Sequence, residues 1–86
     1  MRQAIATDPV DEVARIARAR ALVQSGRLQQ LRETGGLSLA EIGRACGVNP
    51  STVHRWLRHE TMPRGVAALA LYELAAKLSE ALGEVL

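Results

Sequence analysis

Eighty-six residues make one small domain, which buries only about 60–65% of the surface its unfolded chain exposes and leaves no room for the deep cavity of a large enzyme. Hydrophobic residues reach 48% and charged residues 23%, with both signs interleaved and no low-complexity tract, which excludes a disordered chain. The net charge of +2 is unevenly spread: Arg44, Arg55, Arg58 and Arg64 stand against Glu60 alone in the middle, whereas Lys77 stands against Glu73, Glu80 and Glu84 in the tail.

Residues 1–8 lack the apolar core of a signal peptide and read as a flexible arm. Asp8-Pro9 then starts a helix: Asp8 can accept from the open amides of the first turn, and Pro9 stands where a missing N–H costs nothing. Asp11 and Glu12 suit the dipole at that end. Val10, Val13, Ile16 and Ala17 form one apolar edge of a helix over residues 9–25, and the stripe continues through Leu22, Val23, Leu28 and Leu31. Gly26 either breaks this stretch in two or sits inside one long helix, because propensity alone does not choose. Gly35-Gly36 supply left-handed residues that end it after Thr34.

Ser38 and Glu41 have the spacing of a capping box, with Leu37 and Ile42 as its hydrophobic staple. The helix that follows, Ser38–Cys46, stops at Gly47. Asn49 as cap and Pro50 as first residue restart another, Pro50–Arg58, where Val48 and Val53 can repeat the staple. Two helices about three residues apart cannot pack antiparallel, so they cross steeply, as a helix-turn-helix. On the second, Ser51, His54, Arg55 and Arg58 share one face, opposite Val53, Trp56 and Leu57. A last helix carries Leu71, Leu74, Leu78, Ala81 and Val85 at near-heptad spacing, which offers a second face for self-association. With no Phe, one Trp, one Tyr and few β-branched residues, the core is aliphatic. The fold expected is all-α, a compact bundle of four to five helices, with residues 26–86 as the helix-turn-helix domain.

From Leu37 through Trp56 the chain resembles the helix-turn-helix of the phage repressor and Cro-type (XRE) regulators. Members of that family place an aliphatic residue where this chain has Ile42, a small one at Gly43, Gly at Gly47, Val at Val48, an aliphatic at Val53 and often Trp at Trp56. The likeness extends from about Gln24 to Leu82. It implies double-stranded DNA as partner and Pro50–Arg58 as a recognition helix in the major groove. Ser51, His54 and Arg55 would then read bases, with Arg55 able to give two parallel hydrogen bonds to guanine. Asn49, Thr52, Arg44, Arg58 and Arg64 would contact phosphates, with Ile42, Gly43, Cys46, Gly47, Val48, Val53 and Trp56 holding the motif together. One departure is Leu39, which stands where the family commonly has a phosphate-anchoring Gln.

The resemblance implies a small phage or bacterial repressor acting by operator occupancy in the cytoplasm, at the nucleoid, as a homodimer through the C-terminal or N-terminal helix. The alternatives are an antitoxin-like or excision-directing DNA-binding protein and, in another class, an interaction module that has lost DNA contact. Other chemistry is weakly signalled. A lone Cys46 excludes a disulfide framework and a cysteine-only metal cage, Cys46, His54 and His59 lack metal-ligand spacing, and Ser51 with His54 has no third group to make a nucleophile. No enzyme activity, cofactor, metal, small-molecule effector or membrane span is expected.

Overall fold

The computed structural model describes residues 8–84, so the expectations for residues 1–7 of the arm and for Val85 of the C-terminal stripe lie outside the described residues. Five α-helices follow in chain order: α1 (Pro9–Gln24), α2 (Arg27–Gly35), α3 (Leu39–Cys46), α4 (Pro50–Leu57) and α5 (Gly65–Leu82). Among the described residues there is no strand, and the all-α bundle expected from the sequence is the fold observed.

Local chemistry sets most of these boundaries. Asp8 Oδ1 accepts the Val10 amide at 2.8 Å, and Pro9 begins α1. Gly26 takes a left-handed conformation at φ 82°, which divides the first helical stretch into two. At the end of α2 the expectation of two left-handed glycines is corrected: Gly35 is helical and only Gly36, at φ 64°, is left-handed. One such residue suffices, because the Gly36 and Leu37 amides already reach back to the carbonyls of Glu33 and Arg32.

The capping box at α3 is complete. The Ser38 amide donates to Glu41 Oε1 at 2.8 Å while the Glu41 amide donates to Ser38 Oγ at 3.0 Å. Bonds from Ser38, backbone first, and then the charge of Arg44 hold the Glu41 carboxyl below its ordinary value of 4.5. Because the folded state prefers the ionised form, this contribution to α3 is present above the ordinary carboxylate range and is lost as pH falls through the lowered folded value.

α5 is the central element and packs against α1, α2 and α3, while α3 packs against α4 and α1 against α2. The main core joins Ala19, Val23, Leu28, Ile42, Cys46, Val53, Trp56, Ala68 and Leu71, and a smaller cluster joins Leu22, Leu31 and Ala75. The near-heptad stripe of α5 is largely used inside this fold, since Leu71 is buried and Leu74 and Leu78 pack against the two clusters. α1 shows the reverse. Of the apolar edge expected there, Val10, Val13 and Ala17 are exposed and only Ile16 packs inward. Full burial begins at Ala19 and continues with Leu22 and Val23.

Candidate nucleic-acid interface

α3 and α4 are joined by Gly47, Val48 and Asn49 alone. Gly47 is left-handed at φ 73°, its amide and that of Val48 both reach the Gly43 carbonyl, and the chain reverses within that space. The close approach is possible only because residue 43 lacks a side chain: a Cβ there would lie 2.6 Å from the Val48 carbonyl oxygen. Val48 then packs against the main core and fixes the angle at which α4 leaves.

α4 was expected to end at Arg58; its last helical residue is Leu57, with Arg58 as the cap. Asn49 occupies the N-cap position but, against expectation, its side chain makes no capping bond. The Thr52 amide, one of the two that a capping carboxamide could reach, goes instead to the Asn49 carbonyl at 3.0 Å. The exposed carboxamide is therefore left for other partners.

The two faces of α4 separate sharply. Val53 and Trp56 are 0% and 2% exposed, whereas Ser51, His54 and Arg55 are all exposed on the opposite side. Around them Arg44, Asn49, Arg58 and Arg64 are exposed and Thr52 is half-buried. Arg58 is engaged in part: its Nε lies 2.8 Å from Glu60 Oε2, in a pair open to solvent. Such a pair contributes at most about 1 kcal/mol and yields easily to a stronger anion.

The chain between α4 and α5 completes the surface. His59 adopts φ 62°, a left-handed conformation that costs a non-glycine residue about 1–2 kcal/mol, and so turns the chain sharply after α4. Met62 and Pro63 then pack inward. Arg20 on α1 donates from Nε to the Pro63 carbonyl at 3.0 Å, which ties this loop to a helix 43 positions earlier. The result is an open groove in which Thr52 and Arg55 of α4 meet Thr61 and Arg64 of the loop. Four of the expected contact residues are therefore split between two settings: Ser51 and His54 on the outer face, Arg55 and Arg64 flanking the groove. Thr61 and Arg20 were not singled out from the sequence. A threonine in a loop carries no periodic signal, and the Arg20 bond depends on tertiary placement.

Leu39, at the position where the similar regulators commonly carry Gln, is half-buried and packs against the main core. Cys46 is buried, and desolvation pushes its thiol from an ordinary 9.0 up to about 11, so it is protonated and unreactive at neutral pH. Among the described residues no group of three or more His, Cys, Asp or Glu side chains could hold a metal ion, and no helix is long and apolar enough to cross a membrane.

Residues 25–83 match the family profile described as a helix-turn-helix domain. The chain belongs to this helix-turn-helix family, of the XRE-like kind. The match takes in α2 to α5 of the helix-turn-helix domain and leaves α1 outside. No curated protein and no solved structure matches the chain. Membership of the helix-turn-helix family implies DNA binding, and α4 is the second helix of the motif.

Proposed function

We propose that this chain is a sequence-specific regulator of transcription that binds double-stranded DNA, a small phage or bacterial repressor of the Cro-like type working in the cytoplasm at the nucleoid. In this reading α4 lies in the major groove, Ser51, His54 and Arg55 read base edges, and Arg44, Asn49, Thr52, Arg58 and Arg64 grip phosphates on either side. Residues 26–86 are the DNA-binding unit and residues 9–25 an added helix. Repression is steric: the bound domain occupies an operator and excludes polymerase. No catalytic step, cofactor or effector is assigned.

The observation that carries this reading is the exposure of Ser51, His54 and Arg55 together on the face of α4 opposite Val53 and Trp56, with Arg44, Arg58 and Arg64 exposed around it. A buried counterpart would have left no surface to read with. The inward packing of Leu39 favours a second reading, an interaction module without DNA, because one phosphate contact usual in similar proteins is absent. The arginines around α4 weigh against it.

Salt separates the two. Binding to a duplex selected from random sequence should weaken with rising salt along a log–log slope of about −3 to −4, near −0.9 for each of three to four phosphates held. Fluorescence anisotropy across a salt series measures this. A flat response, or no duplex recovered by selection, favours the interaction module.

A further inference from the structure

The family match begins at residue 25 and leaves α1 outside, yet α1 holds the loop beside α4 at one point. That point is Arg20. Its Nε donates to the Pro63 carbonyl at 3.0 Å, in a bond partly shielded from solvent. Among the described residues no backbone hydrogen bond ties Thr61, Met62 or Pro63 to another part of the chain, so the Arg20 bond is the polar hold on this stretch. Both of its ends are firm. Arg20 stands beside Ala19, which is fully buried, on a helix packed against α5, and the Pro63 ring is buried as well.

We propose that Arg20 is a positioning residue for Arg64, so that α1, without touching DNA, sets one of its phosphate contacts. The inference rests on the reading of Arg64 as such a contact. The pyrrolidine ring fixes φ of Pro63 but leaves ψ free. The peptide that joins Pro63 to Arg64 is planar, so whatever holds its oxygen also sets the direction in which the Arg64 Cα and side chain leave. Arg20 holds that oxygen. Arg64 itself is exposed, at the cap of α5, and meets Arg55, Thr52 and Thr61 around the groove. A long side chain grips a phosphate at smaller entropic cost when the backbone beneath it is already fixed.

A phosphate contact made by Arg20 directly is a different arrangement, and substitution chemistry separates the two. Gln carries an N–H donor at the same remove from the backbone as Arg Nε, without the charge, whereas Met fills the space along the stem and carries no donor. Arg, Gln and Met are comparable helix formers, so α1 itself is not weakened by either change.

Anisotropy titration of the full chain with a selected duplex and a scrambled one, corrected for the folded fraction by circular dichroism, tests this. Arg20→Met should weaken binding to both duplexes alike, about threefold to tenfold. Arg20→Gln should retain affinity to within about twofold of wild type. In an Arg64→Ala background Arg20→Met should cost nothing further, because the residue it positions is gone. Without DNA, the heteronuclear NOE of the Thr61, Met62 and Arg64 amides should fall in Arg20→Met and hold in Arg20→Gln. The proposal is overturned if Arg20→Met binds like wild type, if Arg20→Gln binds as weakly as Arg20→Met, or if the Arg20 and Arg64 losses multiply, which would make Arg20 a contact of its own. A wild type that binds neither duplex refutes the DNA reading instead, and the loop amides alone then decide whether Arg20 holds this peptide.

Discussion

Trp56→Ala should lower the free energy of unfolding by about 3–5 kcal/mol, the range for removing a large aromatic from a packed core. Trp56 is the largest fully buried side chain, and it joins α4 to Ala68 and Leu71 of α5 within one cluster. The buried neighbours of Trp56 in that cluster are all much smaller and carry no ring, with Tyr72 only at its edge, so little is at hand to fill the space. A domain of this size holds a total stability near the low end of about 5–15 kcal/mol, so the variant should be partly unfolded at 37 °C. Urea denaturation followed by circular dichroism measures the loss. A variant that loses less than about 1 kcal/mol would show that the indole is not part of the core, and one that stays fully folded but loses DNA would make it a stacking residue.

Gly43→Ala should be destabilising by about 2–3 kcal/mol, opposite in sign to its usual effect. Inside a helix the change from Gly to Ala ordinarily stabilises by up to about 1 kcal/mol, through backbone entropy. Here the new Cβ would stand 2.6 Å from the Val48 carbonyl oxygen and 3.4 Å from Asn49 and Pro50 backbone atoms. Backbone cannot rotate away as a side chain can, so the turn must open and α4 must tilt from its place on α3. DNA affinity should therefore fall even for the fraction that remains folded. Thermal denaturation together with anisotropy on the same sample separates the two losses. An increase in stability would mean that the α3–α4 crossing is looser than the structure shows.

What the sequence made legible is what local rules govern. Asp8-Pro9, the Ser38 and Glu41 box, Gly47 and Pro50 each act through bonds or dihedrals within a few residues, and the starts of α1, α3 and α4 follow from them. The two faces of α4 are equally plain from spacing, since Val53 and Trp56 lie opposite Ser51, His54 and Arg55. What was illegible depends on the rest of the molecule. Gly26 is compatible with either a break or a continuous helix, and the break is seen only once α1 and α2 pack against each other and against α5. The edge from Val10 to Ala17 has correct helical spacing, yet among the described residues most of it is exposed. The groove shared by Arg55 and Arg64 and the Arg20 bond to Pro63 join distant parts of the sequence, and no pattern along the chain announces them.

The claim on which the rest depends is that the exposed face of α4 reads bases while the residues around it hold the backbone. Titration of wild type, Arg55→Ala and Arg64→Ala with a selected duplex and with a scrambled one tests it most directly. Loss of Arg55 should cost about 1–3 kcal/mol on the selected duplex and relax the preference at one base pair, whereas loss of Arg64 should weaken both duplexes alike and reduce the salt slope by about 1. Equal losses on both duplexes from the two variants would contradict that division of labour, and a wild type that binds neither duplex would contradict the claim itself.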